Sequence, residues 1–342
     1  VEEDRITTLA TRGLADRAAN RPIENDAIFR IGSVSKMFTG LLAATMEEED
    51  LVELDAPVRD ARLEGTYQNP WHKTHPVTTA QLLEHSAGFT DLIKPEWDYS
   101  DPAQLPLRKT LRMYPQARES LWPPGIHASY SNGGYGLAGH VLELATGMAY
   151  ETLLARYVLD PLKLRDTTVL PPATSRLASG YDTDGVTAIP YWHQIFRPFA
   201  AINSSLADMA RFLRLFINRG MLDGVPVFPA RVIERVETPT STLAARRGLH
   251  YGYGLGNYSW LHGGVLFHGH GGDADGYLSR MAYTRSNRSG YFLVITAFQG
   301  RTLRAMQRLV ERHLVGHLEG PAEPPVLPLE TALLNALTGR YR

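Results

Sequence analysis

Two serines and a lysine stand close together near the N-terminus, in the segment FRIGSVSKMFTG at positions 29–40. Beyond them, apolar residues recur at the spacing of an α-helix, at Met37, Phe38, Leu41, Leu42 and Met46. Residues three apart share a helix face, so Ser33 and Lys36 can meet, whereas Ser35 lies about 200° round the axis from Ser33. The spacing therefore predicts a serine hydroxyl beside a lysine amine, a pair that can make a nucleophile.

A serine hydroxyl is a weak nucleophile at neutral pH and needs a base within hydrogen-bond reach. Lys36 can be that base only when its amine is partly dehydrated, which the small neighbours Gly40, Ala43 and Ala44 favour. The start of the helix would also stabilise negative charge on Ser33. On its own, Ser-x-x-Lys remains a weak pattern, because a helix start with a lysine that reaches out to solvent explains it at least as well.

Two later motifs give this pair its context. Tyr130-Ser131-Asn132 stands at the start of a second helical pattern, and His270-Gly271-Gly272 lies in a segment rich in strand formers. Serine β-lactamases and penicillin-binding proteins carry Ser-x-x-Lys and two further motifs in this order. The chain resembles their branch of class C β-lactamases, D-Ala-D-Ala carboxypeptidases and esterases, with Tyr-x-Asn and His-x-Gly in the second and third places. The resemblance covers most of the chain and includes IGSVSKMFTG, LLEHSAGF, YSNGGYGLAGHVLELATG, INSSLADMARF and GHGGDADGYLSRMAY.

The resemblance implies catalytic roles for five side chains. Ser33 would attack a carbonyl, and Lys36 would lower the pKa of Ser33 or take its proton. Tyr130 would relay a proton to the leaving group and activate the deacylating water. Asn132 would hold a substrate amide or orient Lys36, and His270 would assist Tyr130 or meet a substrate carboxylate.

The same resemblance implies an oxyanion hole formed by the backbone N–H groups of Ser33 and Asp273. Gly271 and Gly272 would lie on the strand edge that binds substrate. Two departures bear on the substrate: His270 stands where a lysine often stands, and Asp273 replaces a small residue. Without the permanent charge of a lysine, efficient hydrolysis of a carboxylate-bearing β-lactam is disfavoured, and peptidase or esterase chemistry is favoured.

The composition of the 342 residues narrows the possible functions. Hydrophobic residues make up 44% and charged residues 21%, which is ordinary for a globular protein, and the formal net charge is −1. These values argue against nucleic acid or an anionic membrane as the main partner, and no apolar stretch approaches the roughly 18 residues of a membrane span. The absence of cysteine excludes disulfides and a cysteine nucleophile. The compartment stays undecided, with an exported or periplasmic location favoured over the cytoplasm.

The patterns predict a mixed α/β (α+β) chain, and the resemblance implies the β-lactamase/transpeptidase-like fold, an antiparallel sheet flanked by the N- and C-terminal helices. Residues 1–56 and 250–318 would form this sheet subdomain, and residues 57–249 a mainly helical one. The first residues are typical of the second half of a β-hairpin. Residues 319–342 contain the proline-rich stretch PAEPPVLP, typical of a linker to a further segment. We therefore expect the natural protein to extend beyond both ends.

Capping signals predict helices in the middle region, one after Thr78, one from Asn132 to Gly147 and one after Ser205. His85, at the end of the first, is assigned a structural role. From residue 250, short aromatic or β-branched runs between glycines predict consecutive antiparallel strands, and the period of residues 303–314 predicts a final helix.

Three other patterns have rival explanations. HGHGGD contains metal-binding residue types, but Asp273 falls on the opposite strand face from His268 and His270, so we expect no metal and no other cofactor. Residues 134–139 match G-x-G-x-x-G, but helical patterns surround them, which favours tight helix packing over dinucleotide binding. Two aromatic clusters either pack in the ordinary way or line a substrate pocket: Tyr191, Trp192, His193, Phe196, Tyr251, Tyr253, Tyr258 and Trp260.

These observations predict a serine hydrolase that acts through an acyl-enzyme on a small ester or on a D-amino-acid-containing peptide or amide. The alternative is a penicillin-binding sensor that is acylated at Ser33 and not turned over. A non-catalytic relative would not need the complete set of motifs, and a metallohydrolase would need further ligands. The expected partner is a small molecule, and the oligomeric state stays open.

Overall fold

The computed structural model of the chain describes residues 1–316 and residue 318. Its largest sheet in this range has four antiparallel strands from late in the chain: β9 (Tyr258–His262), β10 (Val265–Ala274), β11 (Tyr277–Thr284) and β12 (Ser289–Ile295). Their order across the sheet is β12-β11-β10-β9.

Shorter strands form two-stranded antiparallel pairs elsewhere. They are β1 (Leu14–Asp16) with β2 (Arg21–Pro22), β3 (Ile28–Arg30) with β6 (Asn203–Ser205), β4 (Gly180–Tyr181) with β5 (Ala188–Ile189), and β7 (Met221–Leu222) with β8 (Val225–Pro226).

The helices are concentrated before the large sheet. They are α1 (Ser35–Glu48), α2 (Thr79–Leu83), α3 (Lys94–Trp97), α4 (Leu107–Leu111), α5 (Asn132–Thr146), α6 (Tyr150–Leu154), α7 (Asp160–Leu162), α8 (Arg197–Ala200), α9 (Leu206–Ile217), α10 (Ala230–Glu237), α11 (Leu243–Arg246) and α12 (Gly300–Val315). No helix in the described ranges has both the length and the apolarity needed to cross a membrane.

The capping signals of the middle region are confirmed. The Thr78 hydroxyl accepts from the Gln81 N–H and the Gln81 side chain accepts from the Thr78 N–H, which starts α2. Gly147 ends α5 in the left-handed conformation at φ 75°. The Ser205 hydroxyl accepts from the Asp208 N–H at the start of α9. The mixed fold, with antiparallel strands late in the chain and a helix after them, is as predicted.

Residues 14–16 of the N-terminal segment pair forward with Arg21–Pro22 and form the first strand of a hairpin. Residues 17–20 make the turn between these strands, with Asn20 in the left-handed conformation at φ 48°. The expectation that this segment is also the second strand of an earlier hairpin stays a prediction. The proposed division into two subdomains stays a prediction, and α9, from the range assigned to the helical one, packs against β11 and β12. The proline-rich stretch of residues 319–342 lies outside the described residues.

Helix α1 is buried on all sides over most of its length. Every residue from Ser35 to Met46 is buried, polar ones included. The main hydrophobic core surrounds this helix, while a second cluster lies between the sheet and α12. A helix buried all round cannot direct a long polar side chain to water, so Lys36 must find its partners inside the protein.

The glycines of residues 134–139 allow helix α5 to approach α8 closely. A Cβ atom on Gly136 would lie 2.6 Å from Phe196 Cγ, and one on Gly139 would lie 2.4 Å from Pro198 Cγ. Both contacts are shorter than packed atoms tolerate, so only glycine fits. This contact favours the packing interpretation of G-x-G-x-x-G and sets the position of α8.

A buried ion pair ties several short helices together. Arg118 and Glu96 are 1% and 0% exposed, with Arg118 Nη1 2.5 Å from Glu96 Oε1. The other guanidinium nitrogens of Arg118 donate to the carbonyls of Thr66, Leu111 and Tyr114. Breaking such a pair leaves the partner's charge buried and uncompensated.

We predict that Arg118→Ala lowers the free energy of unfolding by about 3–5 kcal/mol. The matched control is Lys94→Ala, which breaks the Lys94–Asp98 pair, 84% and 59% exposed. Exposed pairs contribute about 0–1 kcal/mol, so this control should change stability little. Chemical denaturation followed by circular dichroism measures both, and similar small losses in the two variants would contradict the role of Arg118.

Candidate active site

Ser33 lies in a single 3₁₀ turn, Gly32–Val34, between β3 and the start of α1. Gly32 adopts φ 54°, and a Cβ there would lie 2.5 Å from the backbone nitrogen of Asp273. Only glycine allows both this conformation and this contact. The Ser279 hydroxyl also donates to the carbonyl of Ile31, which joins the turn to the sheet. Ser33 thus lies at a helix start, as predicted, and the turn that carries it contacts Asp273 of β10.

Lys36 is 0% exposed, and its amine has three partners. Nζ lies 2.9 Å from Ser33 Oγ, 2.7 Å from Asn132 Oδ1 and 3.1 Å from the carbonyl oxygen of Phe199 on α8. A neutral amine has two hydrogens and one lone pair. It can therefore donate to Asn132 and Phe199, which are acceptors at these atoms, and accept the proton of Ser33.

The surroundings of Lys36 favour this neutral form. Burial lowers the pKa of Lys36 well below its usual range, and the negative charge of Asp91 opposes part of that shift. Aromatic rings surround the amine, with centroids 5.0–5.3 Å from Nζ, those of Tyr130, Tyr135 and Phe199. A lysine with a lowered pKa that lies 2.9 Å from a serine hydroxyl can act as a general base toward it, which is the role predicted for this pair.

Asn132 is held by the carboxylate of Asp91, a residue that sequence reasoning did not select. Asp91 Oδ1 accepts from the Asn132 N–H at 2.9 Å, and Asp91 Oδ2 accepts from Asn132 Nδ2 at 3.1 Å. These bonds fix the orientation of the Asn132 amide, with its oxygen toward Lys36. Asp91 therefore acts on Lys36 twice, through the orientation of Asn132 and through its charge.

Tyr130 stands over this pair at the open side of the site. The residue is 40% exposed, and its ring centroid lies 5.0 Å from Lys36 Nζ. Partial removal of its hydroxyl from water raises the pKa of Tyr130 above its usual range, while the nearby Ser33 hydroxyl opposes that shift. Tyr130 is therefore protonated at neutral pH and can give a proton to a leaving group.

His270 lies close by, but its nitrogens are bound elsewhere. Nε2 is 2.6 Å from the Tyr253 hydroxyl, and Nδ1 contacts the carbonyl oxygen of Gly271. The ring centroids of His270 and Tyr130 are 6.3 Å apart. Burial, with smaller effects of Lys36 and Arg280, lowers the pKa of His270 to about 3. His270 is neutral at physiological pH and supplies no positive charge for a substrate carboxylate.

The strand edge behind the nucleophile is the predicted place for the oxyanion. Residues 271–273 continue β10 and pair with β11, with Gly272 opposite Ser279 and Asp273 opposite Leu278. Strand β9 pairs only with residues 265–269 of β10. The opposite edge of β10 is therefore free of β9 beside Asp273, and the N–H groups of Ser33 and Asp273 stay our predicted donors.

The structure thus brings Ser33, Lys36 and Asn132 into direct contact and places Tyr130 over them. Sequence reasoning missed Asp91, and it set His85 aside although its ring lies 4.2 Å from that of Tyr130. Tyr253, an aromatic residue to which the sequence analysis assigns either packing or a pocket role, is hydrogen-bonded to His270. His85 and Asp91 both follow α2 within ten residues. Their closeness in one turn-rich segment was the only sequence feature that could have indicated a shared role in the site.

Comparison with known proteins places these observations in a family. The family model described as Beta-lactamase matches residues 1–314. A beta-lactamase of Yersinia enterocolitica is 28% identical over 72% of this chain and 61% of its own length. Penicillin-binding protein 4 of Amycolatopsis lactamdurans is 24% identical over 96% of this chain and 88% of its own. The structure of D-amino acid amidase from Ochrobactrum anthropi superposes with a TM-score of 0.70 at 22% identity, covering 89% and 87% of the two chains.

We predict that Ser33→Ala lowers kcat by about 10⁴-fold or more, because it removes the attacking oxygen. Ser35→Ala is the matched control, since Ser35 Oγ accepts from the Ile202 N–H at 3.2 Å on another side of α1. It should leave kcat within about tenfold and instead lower stability by about 1–3 kcal/mol through the unpaired Ile202 N–H. Hydrolysis of an activated ester measures kcat, and equal losses at both serines would refute the assignment of Ser33.

We predict an acid limb in the pH profile of kcat/KM that reports Lys36, because the neutral amine is the active form. Activity is lost as the pH falls through the lowered pKa of Lys36. Asp91 raises that pKa, so Asp91→Asn should lower it and move the limb to lower pH by at least about half a unit. The loss of one acceptor for Asn132 also lowers the maximum rate. A limb that moves to higher pH, or stays in place, would contradict this sign.

Proposed function

Because the chain belongs to the Beta-lactamase family of serine hydrolases, we propose that it hydrolyses a small ester or a D-amino-acid-containing peptide or amide through an acyl-enzyme on Ser33. The observation that carries the proposal is the set of partners of Lys36 Nζ, two acceptors and the Ser33 hydroxyl. In this arrangement the Lys36 amine can accept the Ser33 proton without a rearrangement induced by substrate.

Acylation begins when Ser33 Oγ attacks the substrate carbonyl and its proton passes to Lys36 Nζ. The oxygen of the tetrahedral intermediate accepts from the N–H groups of Ser33 and Asp273. When the intermediate collapses, the Tyr130 hydroxyl gives its proton to the leaving group and regains one from the Lys36 ammonium. Lys36 returns to the neutral form, and the acyl group remains on Ser33.

Deacylation reverses this path with water in place of the leaving group. A water molecule gives a proton through Tyr130 to Lys36 as its oxygen attacks the acyl carbonyl. Collapse then returns the proton from Lys36 to Ser33 Oγ and releases the acid product. Tyr130 stays protonated between transfers because its pKa is raised, so it acts as a relay and Lys36 as the base.

The charge of the site supports an uncharged leaving group. His270 is neutral, since its pKa is lowered to about 3, and burial lowers the pKa of Lys36 well below its usual range, which favours the neutral amine. A substrate with a free carboxylate beside the scissile bond would meet no cation from these two residues. Esters and amides of D-amino acids therefore fit better than peptides with a free C-terminal carboxylate. D-amino acid amidase from Ochrobactrum anthropi shares the fold.

A covalent penicillin sensor is the second candidate. Its support is the relation to penicillin-binding protein 4 over 96% of the chain. In such a protein Ser33 would be acylated as above, but water would not reach the acyl carbonyl productively. Turnover separates the two candidates.

We predict rapid Ser33-dependent turnover of an activated short-chain ester and no lasting penicillin adduct. Intact-protein mass is followed after mixing with the ester and, separately, with a penicillin, and Ser33→Ala is the control. A penicillin adduct that outlasts hours and is absent from the control would favour the sensor. No serine-dependent reaction with either reagent would refute the proposal.

A second comparison tests the charge preference. D-phenylalanine amide should be hydrolysed with a kcat/KM at least about tenfold above that of a D-alanyl-D-alanine peptide, a difference of about 1.4 kcal/mol. The same order of preference should persist in His270→Asn, which is also neutral, and should narrow in His270→Lys. Preference for the free carboxylate in the unmodified protein would contradict the neutrality of the site.

A further inference from the structure

His85 contacts the segment of Tyr130 on both sides of that residue. Its carbonyl oxygen accepts from the Ser129 N–H at 2.7 Å, and its Nδ1 accepts from the Ser131 N–H at 3.0 Å. The residues before and after Tyr130 are thus both bound to one residue. The turn that makes this possible places His85 at φ 58°, just beyond the end of α2.

The imidazole ring also packs against the tyrosine itself. Its centroid lies 4.2 Å from that of Tyr130, 4.4 Å from that of Tyr253 and 5.4 Å from that of Tyr135. His85 is 4% exposed, so it is enclosed among these rings. Stacked or tilted aromatic pairs at such distances are favourable and limit rotation of the ring that is more exposed, here Tyr130.

The hydrogen bonds define the protonation state of His85. Because Nδ1 accepts from the Ser131 N–H, the proton of the ring is on Nε2. Nε2 is buried and has no hydrogen-bond partner among the described residues. Burial lowers the pKa of His85 well below its usual value. A charged ring would lose the acceptor at Nδ1, so the hydrogen bond from the Ser131 N–H requires the neutral form of His85.

We propose that His85 is a positioning residue that clamps Ser129 and Ser131 and thereby fixes the hydroxyl of Tyr130 for proton transfer to the leaving group; this inference rests on the proposed function. The Tyr130 side chain is 40% exposed, so packing alone leaves it room to move. Small displacements of a proton donor lower the rate strongly, since transfer needs a hydrogen-bonded distance to the leaving atom. His85 touches no reacting atom in this scheme.

Two variants separate the acceptor from the ring. Asn places an acceptor oxygen near the position of Nδ1 and tolerates positive φ, so His85→Asn should keep the bond to Ser131. His85→Phe keeps an aromatic ring and removes the acceptor, which leaves the Ser131 N–H unpaired. His313, which is exposed on α12 beyond the far face of the sheet, supplies the matched control His313→Phe.

The activity test compares leaving groups. An alkyl ester needs a proton on its departing oxygen, whereas p-nitrophenolate leaves without one. His85→Phe should lower kcat/KM for the alkyl ester about 10²-fold and for the p-nitrophenyl ester less than about fivefold. His85→Asn and His313→Phe should stay within about fivefold for both esters. A loss of folded protein would lower both rates equally, so the ratio of the two isolates positioning.

Hydrogen exchange of a peptide spanning residues 129–131 provides a readout that needs no turnover. Exchange should be about tenfold or more faster in His85→Phe than in the unmodified protein, and unchanged in His85→Asn, since only the former frees the Ser131 N–H. If no ester is hydrolysed at all, the proposed function fails while this measurement still decides the clamp. Equal leaving-group losses, equal behaviour of the Asn and Phe variants, or unchanged exchange in His85→Phe would each overturn the assignment of His85.

Discussion

The burial of one amine is the constraint on which the site depends. Lys36 is on a helix enclosed by the core, so water cannot satisfy its amine and the protein must. Its partners are Ser33, one turn earlier, and two groups from distant parts of the chain, Asn132 on α5 and the Phe199 carbonyl on α8. Two acceptors and one donor match a neutral amine. The hydrogen bonds that satisfy the buried Lys36 amine therefore also place it to activate Ser33 in the proposed mechanism.

Around this centre, the polar groups are held in their neutral forms by burial and by each other. His270 is bound by Tyr253 and Gly271, and His85 by Ser131. Tyr130 is protonated, as is expected for a phenol that is partly removed from water. Asp91 holds Asn132 by two hydrogen bonds, and its negative charge raises the pKa of Lys36. Such a site moves protons between neutral donors and acceptors and keeps little net charge at rest.

Local patterns predicted the parts of the site that are close in sequence. The helical spacing of Ser33 and Lys36, the cap of α2 and the start of α5 follow from side chains within a few residues of one another, which is what periodicity reports. The bond of Asp91 to Asn132 spans 41 residues and that of His85 to Ser131 spans 46, so no local pattern could reveal them. The resemblance supplied Tyr130 and His270, but not the neutral state of His270, because burial is a property of the folded chain.

The carbonyl of Phe199 carries a consequence for how this site can vary. Asn132, the other acceptor of Lys36, can be exchanged by a single substitution, but a main-chain oxygen is the same in every amino acid. A survey of variants at position 199 would therefore record only the role of the phenyl ring. Only a displacement of α8 as a whole would move this oxygen away from Lys36. The close contacts of Phe196 and Pro198 with the glycines of α5 resist such a displacement. One of the two acceptors of Lys36 therefore cannot be removed by substituting a side chain, and its position is maintained by the packing of α8.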